Sequence, residues 1–141
     1  MMAPSFDVRF ELDGWMLFWA DVELTDGGEK RHLQLLDDVA RRVRARYEGS
    51  ALTEDPTVTA LRKLFRRAGT DPTRYRPSSE ALLRRVVKGE PIPAIHPFVD
   101  INNCLSAELA VPCCVMADGT FEPPYVFRAG APGESVKKLP P

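Results

Sequence analysis

This 141-residue chain has few of the residues from which metal sites and disulfide frameworks are built. It contains three cysteines and two histidines, and no pair of cysteines has the CxxC spacing of a zinc site. No apolar stretch approaches the ~18 residues that a membrane span requires. The opening residues carry acidic side chains and no apolar h-region, which argues against a signal peptide. We therefore expect a cytoplasmic protein without a membrane partner.

The short motifs of several common chemistries are also missing. The sequence has no GxGxxG or GxxxxGK[ST] loop for phosphates, no HExxH zinc motif, no GxSxG nucleophile elbow and no EF-hand loop. We therefore expect no metal and no cofactor. The remaining sequence patterns predict the fold in more detail than they predict a reaction.

The charge of the chain is unevenly distributed. Apolar residues make up 44% and charged residues 28%, as in an ordinary globular domain, and the net charge is only −1. Residues 41–90, however, contain 13 Lys and Arg against 6 Asp and Glu, a local charge of +7. This excess indicates a basic surface that faces an anionic partner. The alternative is a set of solvated helix faces.

The first half of the chain predicts two strands followed by two helices. Residues 6–12 alternate in polarity and residues 15–24 are continuously apolar, with an Asp13-Gly14 hairpin turn between them. Residues 29–48 predict a helix, because apolar residues recur along it at steps of three and four. These residues are Leu33, Leu36, Val39, Ala40, Val43 and Tyr47. Asp55-Pro56 predicts a capped start for the next helix, which Gly69 ends.

The second half predicts two further helices and a hairpin. Ser78 is expected to cap a helix that continues to about Lys88, and a proline-rich loop leads to a helix from Asp100 to about Leu109. Segments 111–117 and 120–128 predict strands joined by an Asp118-Gly119 turn. The order of strands, helices and strands favours an α+β domain with a mainly antiparallel sheet and three to four helices.

Polar residues at the start of the last predicted helix are the first site candidates. Asp100 is able to cap exposed amides there, and Asn102 and Asn103 need either solvent or hydrogen-bond partners, because asparagine is unfavourable inside a helix. His96 in the proline loop has either a structural role or a place in a pocket. The cysteines are either buried reduced thiols or, for Cys114, part of a pocket lining.

Basic residues form the second group of candidates. One face of the helix that follows Asp55 is basic, and further arginines stand before and within the helix that follows. Arginine is well suited to bind phosphates, although the same residues suit an ordinary solvated surface. The candidates are Arg62, Arg66, Arg67, Arg74, Arg76 and Arg84.

The blocks RPSSEALLRR and HPFVDINN, in this order and with the KGEPIP loop between them, carry a family resemblance. The segment 57–118 resembles the B3/B4 tRNA-binding and editing domain of the phenylalanyl-tRNA synthetase beta subunit, and it is closer still to freestanding proteins built from that domain. We expect a single B3/B4-like domain over residues 1–130, with the clearest match at 57–118 and a poorly ordered tail at 131–141. The resemblance implies an α+β fold.

The resemblance implies that the chain binds aminoacyl-tRNA and deacylates mischarged tRNA by positioning a water without a metal. In the synthetase, this domain removes tyrosine from tRNA(Phe). Val99, Asp100 and Asn103 match the VDxxN-like block that borders the pocket, and Cys114 stands where synthetases carry a pocket histidine. The alternatives are a non-catalytic RNA- or tRNA-binding module and a binding protein for a small ligand such as an amino acid.

The C-terminal end departs from the family. Family members continue with further strands, so the chain is expected to be a shortened member. An open sheet edge predicts pairing with a second copy of the chain.

Overall fold

The computed structural model describes residues 8–23 and 31–135. These residues fall into two compact units, one drawn from 1–20 and 117–141 and the other from 21–116. The first unit contains strands β1 (Val8–Glu11) and β2 (Tyr125–Arg128). The second contains a short 3-10 turn, Leu52–Glu54, and four helices: α1 (Arg31–Arg46), α2 (Pro56–Arg67), α3 (Ser78–Val87) and α4 (Pro97–Leu109). The prediction of one domain over residues 1–130 remains a prediction.

The fold class predicted from the sequence is wrong. The described residues form four α-helices and only two short strands, and these strands pair in parallel, so there is no mainly antiparallel sheet. Residues 15–23 and 111–117 are not strands. Phe18 is 84% exposed in the first of these segments. An apolar pattern indicates which side chains favour burial. A strand also requires a neighbouring backbone with which to form hydrogen bonds, and the pattern does not predict that neighbour.

The core of the helical unit is built mainly from α1, α3 and α4. Buried side chains of the three helices form one apolar cluster, to which Tyr47, Leu52, Val58 and Ile92 also belong. The apolar stripe predicted for α1 is confirmed for five of its six residues, while Leu33 is 36% exposed. The side chains of Val43, Leu83, Val86 and Ala107 are fully buried. This core sets the positions from which the polar residues of the site project.

Of the three predicted helix caps, the one at Asp55 is confirmed and the other two are wrong. Asp55 caps α2 as expected, accepting hydrogen bonds from the backbone amides of Thr57 at 2.8 Å and Val58 at 3.3 Å. Ser78 does not cap α3, because Pro77 occupies the N-cap position and supplies no side-chain acceptor. Helix α4 begins at Pro97 rather than at Asp100, because proline is tolerated in the first helical turn.

The remaining predictions for regular structure have mixed outcomes. Helix α1 is confirmed over 31–46, while residues 24–30, on which its predicted start falls, lie outside the described part of the chain. Turns form at Asp13-Gly14 and at Asp118-Gly119, and Gly119 has the positive φ of 77° that such a turn requires. Neither turn joins paired strands, since β1 pairs with β2.

The two-stranded unit has a fixed register. Phe10 lies opposite Phe127, and their ring centroids are 6.4 Å apart. At the end of β2, Arg128 donates two hydrogen bonds to the carboxylate of Glu134, at 2.6 and 2.8 Å. These bonds hold the pKa of Glu134 at about 2. Residues 136–141 of the predicted poorly ordered tail lie outside the described residues.

Candidate functional site

Asp100 fastens the proline loop to the start of α4. The residue is 1% exposed, and its Oδ1 accepts hydrogen bonds from the backbone amides of Ile95 at 2.8 Å and His96 at 3.2 Å. The Asp100 side chain therefore accepts hydrogen bonds from amides that precede α4, and not from amides of the helix itself. A buried carboxylate requires such partners, because burial without them carries a large desolvation cost.

The second oxygen of Asp100 faces a residue that was not a site candidate. Nε2 of His32 lies 3.5 Å from Oδ2 of Asp100. His32 stands at the start of a long predicted helix, where the sequence favours a surface position. The packing of α1 against α4 brings the two residues together. No local pattern in the sequence could have predicted this pairing.

The two asparagines of α4 have different environments. Asn102 donates from Nδ2 to the carbonyl oxygen of Cys113 at 3.2 Å, and so fixes the segment that follows the helix. Asn103 is half-buried, and its amide forms no hydrogen bond within the described residues. Asn103 follows Asp100 by three residues, which places both on the same face of α4. Its amide is therefore available to a ligand.

His96 and Cys114 are both exposed. His96 is the N-cap of α4: its Nδ1 accepts from the backbone amide of Phe98 at 3.4 Å, and the two rings stack with centroids 5.9 Å apart. Cys114 makes no hydrogen bond or ion pair within the described part of the chain. The structure thus brings His96 next to Asp100, while no hydrogen bond or ion pair joins Cys114 to either of these described residues.

The other two thiols are less accessible. Burial raises the pKa of the Cys104 thiol to about 11, and the nearby carboxylates of Asp100 and Glu108 act in the same direction. Burial also raises the pKa of Cys113, and the neighbouring thiol of Cys114 adds to that effect. A thiol with a raised pKa is a poor nucleophile at neutral pH. Cys104 and Cys113 are therefore unsuited to nucleophilic chemistry.

Two of the six candidate arginines are engaged inside the protein. Arg84 donates from Nε to Oε1 of Glu80 at 3.0 Å, and Nη1 of Arg62 lies 3.4 Å from the same oxygen. Arg62 also reaches the Pro72 carbonyl oxygen and Thr73 Oγ1 through Nη2, at 3.5 and 3.3 Å. Among the buried side-chain atoms of the described residues, Nε of Arg62 and Oε2 of Glu80 lack a hydrogen-bond partner.

The other four candidate arginines lie exposed, together with Lys63, at the end of α2 and in the loop before α3. None of these five cations has a carboxylate within the 4.0 Å of an ion pair in the described ranges, although Arg74 lies over the ring of Tyr75, 5.3 Å from its centroid. By contrast, the exposed Arg41 and Arg42 pair with Asp38 and Glu108. We name the five cations the α2–α3 basic surface: Lys63, Arg66, Arg67, Arg74 and Arg76.

The described residues contain no cluster of three or more His, Cys, Asp or Glu side chains able to hold a metal ion. Across the same ranges, no helix combines the length and the apolar character needed to cross a membrane. The geometry thus consists of a polar group around Asp100 and a separate basic surface on α2 and the loop that follows it.

The sequence matches the family model of the B3/4 domain over residues 60–140. Because the match covers more than half of the chain, the chain belongs to the B3/4 domain family. This domain is associated with tRNA binding in the phenylalanyl-tRNA synthetase beta chain, so the resemblance seen in the sequence is confirmed. No curated protein and no solved structure gave a significant match. The family match includes the α2–α3 basic surface and all of α3 and α4.

Proposed function

We propose that this chain binds aminoacyl-tRNA and deacylates mischarged tRNA. The observation that carries the proposal is the α2–α3 basic surface, which lies within the residues that match the B3/4 domain family. Its five cations have no acidic partners in the described part of the chain, so each is free to neutralise a phosphate.

Exposed cations without acidic partners contribute to tRNA affinity through phosphate contacts. Binding of a nucleic acid releases counterions from its backbone, and each Lys or Arg that neutralises a phosphate contributes to affinity. Arg67 and Arg74 stand on either side of the Gly69 turn, so that a helix end and a loop present charge together. Arg62 and Arg84 support the same region through Glu80, and their contact with tRNA remains a prediction.

The aminoacyl end of the tRNA would bind at the polar group around Asp100. The free amide of Asn103 is available to hydrogen-bond the ester carbonyl, and His96, Asn102 and Cys114 remain pocket candidates. An apolar pocket for phenylalanine excludes tyrosine only weakly, because tyrosine differs by one hydroxyl group. A second site that hydrogen-bonds this hydroxyl is able to bind the tyrosyl ester selectively. Selection of tyrosine in this way suits an editing role.

Incubation of the purified chain with a panel of mischarged tRNAs, including tyrosyl-tRNA(Phe), tests the proposal. Release of the amino acid is followed over time, with correctly charged phenylalanyl-tRNA(Phe) as the matched control. We expect faster release from at least one mischarged tRNA than from the control. Release no faster than without protein, across the panel, would overturn the hydrolase and leave tRNA binding to be tested separately.

A second candidate is a tRNA-binding module without catalytic activity. The observation in its favour is Cys114, which occupies the place of the pocket histidine of synthetases and is exposed. Binding of tRNA that weakens with salt, without deacylation, would identify this function. A binding site for a free amino acid would instead show a thermal shift with the amino acid and no affinity for tRNA. The homodimer and the cytoplasmic location also remain predictions.

A further inference from the structure

His32 at the start of α1 faces the buried carboxylate of Asp100 in α4. Asp100 is buried, with Oδ1 occupied by two backbone amides and Oδ2 directed at Nε2 of His32, 3.5 Å away. The His32 side chain is 23% exposed, so one edge of its ring reaches solvent. An aspartate of this kind orients an imidazole and selects its tautomer in many hydrolases.

The contact with Asp100 determines which nitrogen of His32 is free. A carboxylate only accepts hydrogen bonds, so a neutral His32 that faces Asp100 through Nε2 carries its proton on that nitrogen. Nδ1 is then an acceptor, and it has no hydrogen-bond partner in the described part of the chain. A distance of 3.5 Å is long for a hydrogen bond, but catalytic hydrogen bonds are often long before substrate is bound.

We propose that His32 is the general base that activates water in the deacylation of aminoacyl-tRNA, with Asp100 as its positioning residue. The inference rests on the proposed function, because it concerns the reaction of that site. It adds α1 to the site, whereas the sequence candidates came from α4 and the segments around it. Asn103, on the same face of α4 as Asp100, supplies an amide donor for the ester carbonyl.

The reaction balances without a further reactant. Nδ1 of His32 accepts a proton from water as the water oxygen forms a bond to the ester carbonyl carbon. The carbon–oxygen bond to the ribose of the terminal adenosine then breaks. The proton passes from Nδ1 to the departing ribose oxygen, so the products are the free amino acid and uncharged tRNA. His32 returns to its neutral form.

The most informative variant is His32→Gln. Its side-chain amide is able to donate to Asp100 as the imidazole does, but it cannot accept a proton from water. We expect the rate of tyrosyl-tRNA(Phe) deacylation under single turnover to fall about 100-fold or more, the usual contribution of a general base. The affinity for tRNA and the melting temperature should be unchanged. Gln34→Ala, at an exposed position on the same helix, is the matched control and should keep wild-type activity.

Rescue by imidazole separates catalysis from a structural role. Added imidazole should restore part of the activity of a His32→Ala variant, and it should not accelerate the wild-type protein. If His32→Ala does not fold, a slower wild-type rate in D2O supplies the supporting result, and the absence of an isotope effect counts against the inference. Full activity in His32→Gln, with a wild-type protein that deacylates, would overturn the inference alone, whereas a wild-type protein that binds tRNA without deacylating it would overturn the proposed hydrolase. Failure to bind tRNA would instead overturn the proposed function.

Discussion

Glu80 in the first turn of α3 and Arg62 in the middle of α2 form an ion pair inside the protein, with Oε1 and Nη1 separated by 3.4 Å. The Glu80 side chain is 1% exposed and also accepts from Arg84 on its own helix. The pair joins two helices, and Arg62 also contacts the loop between them through the Pro72 carbonyl oxygen and Thr73 Oγ1. Glu80 therefore holds in place an arginine that contacts this loop.

Replacing Glu80 by glutamine should destabilise the protein strongly. The change leaves the guanidinium of Arg62 without its carboxylate, and loss of one partner of a buried pair costs about 3–5 kcal/mol. We expect the lower end, because Arg62 keeps its contacts with Pro72 and Thr73. Urea denaturation measures the change. In Glu90→Gln, which loses an exposed pair with Arg85, the cost should stay below about 1 kcal/mol. Equal midpoints for the two variants would contradict the account.

Asp55 should make stability depend on pH. Burial acts to raise the pKa of Asp55, but hydrogen bonds from Tyr47 and from the amides of Thr57 and Val58 outweigh it, and the pKa is lowered. The stabilisation is therefore present above the unfolded-state pKa of about 3.9 and is lost as pH falls through the lower folded-state value.

The variant Asp55→Asn tests this dependence. Asparagine caps a helix about as well as aspartate, so the loss at neutral pH comes from the missing charge and should stay below about 1 kcal/mol. The difference between wild type and variant should shrink as the pH falls from the unfolded-state pKa through the lower folded-state pKa. Denaturation curves at neutral and acidic pH would show it. Tyr47→Phe removes the 2.7 Å hydrogen bond to Asp55 without removing the cap, and serves as the partial control. A difference that is constant with pH would be inconsistent with the lowered pKa.

The three cysteines should differ in their reaction with a thiol reagent. Cys114 is exposed and should react first, whereas Cys104 is buried with a pKa of about 11 and should react only when the protein unfolds. Cys113 should be intermediate, because burial raises its pKa. Mass spectrometry of peptides after brief alkylation gives the order. Early modification of Cys104 in the folded protein would contradict the described core.

The helices could be predicted from the sequence because their signals are local. The Asp55-Pro56 cap and the apolar stripe of α1 depend on residues within a few turns of one another, and both are confirmed. The sheet could not be predicted in this way. β1 and β2 pair in parallel although they lie near opposite ends of the sequence, and a turn signal such as Asp118-Gly119 carries no information about such a distant partner.

In the candidate site, too, the features that depend on local sequence could be predicted and those that depend on distant residues could not. The polarity of the DINN segment identified Asp100, because an acidic residue near a helix start is a local signal. Its contact with His32 depends on the packing of α1 against α4, which no spacing in the sequence encodes. Likewise, all six candidate arginines have the same appearance in the sequence. Only the structure distinguishes Arg62 and Arg84, which bind Glu80, from the four that are exposed.

Binding of tRNA as a function of salt tests the central claim most directly. Wild-type affinity should fall linearly on a log–log plot, and the Arg67→Ala/Arg74→Ala variant should bind more weakly, with a slope reduced by about 1 for each lost phosphate contact. The control Arg41→Ala/Arg128→Ala removes the same charge from exposed arginines that pair with Asp38 and Glu134, and it should bind like wild type. Equal losses in the two double variants, or no salt-dependent binding by the wild type, would contradict the claim.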